Sequence, residues 1–211
     1  MHQVVIALNG GPFDPAGVAA VVPGAAIIAA DGGLDHAVEA GLTPTHLVGD
    51  LDSISAGGKM WAYAHDVAID EHPVDKDATD TELALDAAIG LDAQHLLVLG
   101  TSGGRFDHLI GSVTVLGNPQ LACFDSITAY LGHNQVRVLH PGKQCVLPTS
   151  AGVTFSLLAL HGDCGGVTVT GARWNLDAAT ISASSCRGLS NEAIDQPWIT
   201  CGSGVLTVVL P

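Results

Sequence analysis

The feature that most constrains this chain is a change of hydrophobic rhythm at about Gly132. Before it, short runs of branched apolar residues alternate with longer alanine-rich segments. Parallel strands need a crossover of roughly a dozen residues, usually a helix, to carry the chain back, so this alternation reads as repeated βαβ units. It predicts strands over 4–8, 26–30, 46–48, 67–69, 95–99 and 127–131, and helices over 16–22, 34–40, 57–64, 80–89 and 108–116. After Gly132 helical periodicity stops and short alternating runs take over at 135–139, 153–160, 167–170 and 205–210, divided by Pro141-Gly142, Gly165-Gly166 and Gly202-Ser203-Gly204. The expected fold class is therefore α/β. A mostly parallel, Rossmann-like sheet flanked by helices spans 1–132, and an antiparallel β-sandwich spans 133–211.

In an open parallel sheet, ligands bind at the carboxyl ends of the strands. Here those ends read Asp31-Gly32-Gly33, Gly49-Asp50-Leu51-Asp52-Ser53, Asp75-Lys76-Asp77-Ala78-Thr79-Asp80 and Gly103-Gly104-Arg105-Phe106-Asp107-His108. Four successive strand ends thus place Asp on one rim. In extended geometry Asp50 and Asp52 flank Leu51 and point to one side, where they can share a divalent cation. Ser53 can cap the following helix or touch a phosphate. Three carboxylates within 75–80 repel one another unless a cation is present; one or two of them also suit a helix N-terminus. Arg105 can grip a phosphate through two donors, and Asp107 either caps the next helix or fixes the Arg.

Charge bears on what such a rim can bind. With 21 acids against 7 bases and a formal charge of -14, the chain repels nucleic-acid backbones at long range. Of those acids, 15 lie between Asp31 and Asp107, and 17 of the 21 are Asp, a residue of turns, caps and hard-metal sites. Two of the scarce cations, Lys76 and Arg105, fall inside the same loops. No GxxxxGK[ST], GxGxxG or HExxH pattern occurs, which removes P-loop, dinucleotide and zincin readings, and no Ser, His and acid set suggests a hydrolase triad. The first apolar run is of strand length and lacks a basic lead, and the five cysteines have no CxxC spacing. These features point to a cytoplasmic protein without a membrane span or structural zinc.

Read in order, Ala30-Asp31-Gly32-Gly33, Gly49 to Ile54, Asp75 to Glu82 and Gly104 to His108 resemble the motifs of the thiamine pyrophosphokinase family. Leu139 to Lys143, Val169 to Leu176 and Gly188 to Glu192 are similar to its C-terminal motifs, so the resemblance covers nearly the whole chain. It implies an enzyme that moves a pyrophosphoryl group from ATP to thiamine, working as a homodimer whose active site joins the first domain of one subunit to the second domain of its partner. By position, Asp50, Asp52 and Asp80 match the family's Mg²⁺-binding carboxylates. Asp31, Gly32, Gly33, Ser53, Lys76, Asp77, Thr79, Arg105, Asp107 and His108 match the positions around ATP. Trp174, Ser190 and Asn191 match those around thiamine. The resemblance makes Asp50, Asp52, Asp77, Asp80 and Arg105 the expected catalytic set. Two rivals are weighed. A pyrophosphokinase for another hydroxymethyl heterocycle, such as a pterin, should lose Trp174 and the Ser190-Asn191 pair. A non-catalytic thiamine or nucleotide sensor should lose a carboxylate of the metal set. All of these residues are present.

Overall fold

A computed structural model describes residues 2–211, which form two compact units. The first unit comprises residues up to Val115 together with Ala129–His133; the second comprises Leu116–Thr128 and Asn134–Pro211. The sequence pattern places 116–128 with the first domain, but these residues cluster with the second. Local bonds explain it: buried His140 meets the Leu116 carbonyl at 3.1 Å, and Lys143 pairs with Asp125 at 3.4 Å.

In the first unit, β1 (Gln3–Ala7), β2 (Ala26–Ala30), β3 (His46–Gly49), β4 (Ala68–Glu71) and β5 (His95–Gly100) are parallel, in the order β5-β1-β2-β3-β4. Both faces of the central strands are covered, which is why Val4 to Ala7 and Leu96 to Leu99 are continuous apolar runs rather than alternating ones. Fully burying a side chain such as Ile6, Ile28 or Leu99 stabilises the fold by about 1.5–3 kcal/mol. The crossovers are α1 (Pro15–Ala19), α2 (Gly33–Glu39), α3 (Ala56–Ala64) and α4 (Asp80–Ile89), and α5 (Phe106–Val115) follows β5.

Local chemistry sets where these helices start. Asp14 caps α1, with Pro15 in its first turn, and Ser55 caps α3 by accepting from the Gly58 amide. The cap of α3 is thus Ser55, not Ser53, which frees Ser53 for other contacts. A reciprocal capping box of Thr79 and Glu82 starts α4. Strand order reverses at β1, so the loops after β1 and β5 part company and leave a crevice there.

The second unit is antiparallel. A short 3₁₀ turn (Pro119–Cys123) precedes β6 (Ser126–Leu131), whose last residues belong to the first unit. Then come β7 (Asn134–Leu139), β8 (Gln144–Val146), β9 (Thr154–Leu158), β10 (Cys164–Ala172), β11 (Leu176–Ile181), β12 (Asn191–Thr200) and β13 (Leu206–Leu210). β13 lies between β7 and β9; β12 pairs with β9 at its start and with β8 and β10 further along. Phe155, Leu157, Val167, Ile199, Leu206 and Val208 meet in one core. Among the described residues no helix is long and apolar enough to cross a membrane.

Candidate active site

The strand ends of the first unit build the site. After β2, Asp31 takes a left-handed conformation with φ 47°, and after β3 Leu51 does the same with φ 60° while its side chain is buried. Such conformations cost of order 1–3 kcal/mol in a branched or bulky residue and persist where surrounding structure enforces them. The Leu51 turn corrects the extended geometry expected of Asp50 and Asp52. The two carboxylates meet because the chain folds back, with the Asp52 amide donating to Asp50 Oδ1 at 3.2 Å. Gly49, at φ 144°, begins the turn; a Cβ there would lie 3.1 Å from both Asp31 Cβ and Asp80 Oδ1. Gly33 sits so close to β1 that a Cβ would collide with the Ala7 carbonyl oxygen.

Asp31, Asp50 and Asp52 each bring a carboxylate oxygen to within 4.8 Å of the others. Asp31 is 6% exposed; its Oδ2 accepts a short hydrogen bond from Ser53, while its buried Oδ1 has no hydrogen-bond partner among the described residues. An unsatisfied buried carboxylate oxygen costs free energy unless a cation answers it. An all-oxygen set around it fits a hard divalent ion such as Mg²⁺. Electrostatics point the same way. The Asp52 amide and then Lys76 hold the Asp50 carboxyl below its ordinary value, whereas the negative charge of Asp50, partial burial and Asp31 push Asp52 up.

Both basic residues of the rim are held by acids. Lys76 Nζ lies 3.0 Å from Asp80 Oδ1 and 3.5 Å from Asp50 Oδ2, with only 14% of its side chain exposed. Partial burial opposes its charge, but the hydrogen bond and charge of Asp80, then Asp50, lift its pKa above the ordinary value. Arg105 makes a two-pronged contact to Asp107, Nη2 to Oδ2 at 2.6 Å and Nε to Oδ1 at 3.2 Å. That contact raises the Arg and lowers the Asp. Of the two roles open to Asp107, fixing the Arg is the one observed, for Asp107 lies within the first turn of α5 rather than before it.

A cleft of about 580 Å³ opens at this rim, a size common for small-molecule sites. Asp31, Asp52, Ser53, Thr79, Asp80, Arg105, Asp107 and His108 line it. Thr79 also serves the α4 capping box, Gly32 donates its amide to Ser53 Oγ at 3.3 Å, and Gly33 is buried under the rim. Asp77 is exposed on the loop before α4 and lies outside the lining. Among the lining residues outside the sequence-predicted set, Asn9, just after β1, donates from Nδ2 to Ser53 Oγ at 2.8 Å and also borders an adjoining hollow of about 240 Å³. Leu8-Asn9-Gly10-Gly11 after the first strand is the local signal, and it carries no charge that would group it with the Asp-bearing ends.

The three residues matched to thiamine lie in the second unit. Trp174 is 54% exposed, so it is a surface tryptophan and not a core one, and the Arg173 guanidinium sits 5.0 Å from its ring centroid. Buried Asn191 clamps the Trp174 backbone from both sides, accepting from its amide at 3.2 Å and donating to its carbonyl at 2.8 Å. Ser190 is held at φ 57° beside it, its amide bound to Ser156 Oγ.

The five cysteines form no disulfide. Burial pushes the Cys145 thiol up to about 11 and that of Cys164 to about 12, and it raises Cys201 as well, which leaves them poor nucleophiles.

Comparison with known proteins bears on both units. Residues 23–128 match the family model described as thiamin pyrophosphokinase, catalytic domain, and residues 144–206 match the one described as thiamin pyrophosphokinase, vitamin B1 binding domain. The chain is 27% identical over 188 residues to thiamine pyrophosphokinase of Bacillus subtilis, covering 86% of this chain and 85% of that one. The crystal structure of thiamine pyrophosphokinase from Bacillus subtilis superposes with a TM-score of 0.82 at 24% identity, covering 99% of this chain and 98% of the other. That of thiamin pyrophosphokinase from Geobacillus thermodenitrificans gives 0.78 at 26%, covering 99% and 96%. Matched along both of its units, the chain belongs to the thiamin pyrophosphokinase family.

Proposed function

We propose that the protein is a thiamine pyrophosphokinase that transfers the pyrophosphoryl group of MgATP to the hydroxyethyl oxygen of thiamine, releasing AMP. The observation that carries the reading is that the catalytic family model falls on the unit holding the carboxylate rim, while the vitamin B1 model falls on the unit holding Trp174 and Asn191. The second match also disfavours a pterin as acceptor. In this reading the first unit is a Rossmann-like nucleotide layer and the second a thiamine-binding sandwich. Five free thiols suit a reducing, cytoplasmic setting.

Asp50 and Asp52, joined by Asp31 and Asp80, would hold the metal. When bound, Mg²⁺ neutralises charge on the phosphate oxygens and orients them. The chain's own groups do the rest. Arg105 offers two parallel donors to phosphate oxygens, and Lys76 a compact cation; both favour charge gathering between the attacking and leaving oxygens. Ser53, Gly32 and Thr79 border the triphosphate path, and His108 the nucleotide end. A carboxylate of the loop from Asp75 to Asp80 accepts the hydroxyl proton, Asp80 lining the cleft and Asp77 lying exposed outside it. Trp174, held in place by Asn191, offers its indole face to the cationic thiazolium or the pyrimidine of thiamine, with Ser190 beside it.

The site is completed in a homodimer. Support comes from α5, none of whose residues is buried although Phe106 is 73% and Ile110 50% exposed. An apolar helix face of that kind calls for a partner surface. Phosphorus NMR of protein, MgATP and thiamine tests the reaction: AMP and thiamine diphosphate should rise together. ADP with thiamine monophosphate, or no turnover, would overturn it.

A further inference from the structure

We propose that Lys76 competes with the divalent cation for Asp50, and that cation binding hands Lys76 over to the triphosphate. This rests on the metal-and-nucleotide reading above and deepens it. Lys76 Nζ lies between a carboxylate oxygen of Asp50 and one of Asp80, at 3.5 and 3.0 Å. Asp50 is at the same time one of the three carboxylates that converge around the unpartnered, buried Oδ1 of Asp31. One acid therefore belongs both to the ammonium and to the cluster suited to a dication. A dication at that cluster and an ammonium at Asp50 carry like charge at contact range, and the ammonium is the one on a flexible stem.

The geometry lets Lys76 move without unravelling its surroundings. Asp80 is the first residue of α4, whose start is fixed by the Thr79–Glu82 box and does not depend on Lys76. Asp50 is fixed by its own turn through the Asp52 amide. Asp80 lines the cleft beside Thr79 and Arg105, so an ammonium leaving it can enter the cleft that the reading above assigns to the triphosphate. The exchange makes metal and triphosphate binding mutually favourable, because each removes the partner that the other displaces, and such coupling is reciprocal. It also keeps the excess carboxylates of the rim compensated.

The test reads binding and labelling, not turnover. Titrating protein with Mn²⁺ alone and following free ion by EPR, Lys76→Met should bind Mn²⁺ about tenfold or more tightly than the unsubstituted chain, with Lys76→Arg close to the latter. Circular dichroism melting of both variants separates loss of fold from loss of the ammonium. In the unsubstituted protein, trace acetylation read by peptide mass spectrometry should show Mn²⁺ speeding modification of Lys76 several-fold relative to exposed Lys59. Inorganic tripolyphosphate added with Mn²⁺ should slow it again. Equal or weaker Mn²⁺ binding by folded Lys76→Met, or acetylation of Lys76 indifferent to Mn²⁺, overturns the exchange while leaving the metal site standing. Absence of Mn²⁺ binding by every form, with or without tripolyphosphate, overturns the metal reading and the exchange with it.

Discussion

His140 shows how a single buried ring ties stability to pH. It is 2% exposed, and its Nε2 lies 3.1 Å from the Leu116 carbonyl, an acceptor that needs the ring to donate a proton there. Burial lowers its pKa despite that hydrogen bond, and the nearby His161 and Lys143 lower it further. The sign follows: a folded value below the ordinary 6.5 means that the unfolded chain binds more protons, so stability rises with pH in this range. The contribution of the neutral ring is complete above about 6.5 and is lost as pH falls through the lowered folded value. Thermal melts from pH 8 to pH 5 should show His140→Gln less stable at pH 8 but with a flatter decline toward pH 5 than the unsubstituted chain. Parallel declines would mean that His140 does not set this dependence. The site carboxylates follow another logic at the same scale. Asp31 and Leu51 tolerate positive φ because the fold aims their loops, and the unsatisfied Oδ1 of Asp31 is the atom that a cation would answer.

Gly33 shows what an element demands of one position. α2 starts against β1 so closely that a methyl group would strike the Ala7 carbonyl oxygen, a backbone atom in the middle of a parallel sheet. Gly33→Ala must push the start of α2, and with it the Asp31 turn, away from the strand. Overpacking of this kind costs about 1–3 kcal/mol. For a chain of 211 residues that is a Tm lower by roughly 3–10 °C, measurable by calorimetry, with Mn²⁺ affinity falling alongside. An unchanged Tm would mean that the helix start is looser than its contacts imply. The elements themselves were readable to different degrees. β2 and α4 match the pattern residue for residue, because the first is a continuous apolar run and the second opens on a capping box. β12, with ten residues, carries no strand pattern: Asp195, Gln196 and Pro197 break its alternation, and a proline inside a run argues against a strand. β11 hid in the same way behind Asp177. In the site, the four carboxylate loops were legible since each advertises charge at a strand end. The pairing of Lys76 with Asp50, 26 positions away, depends on how β3 and β4 lie side by side and has no local signature.

At the scale of the whole molecule, a formal charge of -14 first reads as a bar to phosphate ligands. The excess is partly a rim of acids that, with the proposed dication bound, would become a phosphate receptor, and a negative field would also draw the proposed cationic acceptor. The rim lies in the first unit and Trp174 in the second, so a working site is built either within one chain or, as in the proposed homodimer, from two. Subunit exchange distinguishes these. Asp80→Asn removes a carboxylate from the rim and Trp174→Ala removes the aromatic face, so each variant alone should lose most of its turnover while keeping its melting behaviour. If a site takes its rim from one subunit and its tryptophan from the other, a mixed dimer holds one site with both defects and one with neither. Mixing the two variants after mild dissociation should then restore turnover well above the sum of the separate preparations. If each site is built within one chain, every site in the mixture still carries one defect, and mixing restores nothing. Ile110→Glu, which places a charge on the exposed face of α5, should reduce both the dimer seen by sedimentation and the turnover recovered on mixing. A monomer that keeps full turnover would remove the shared site altogether.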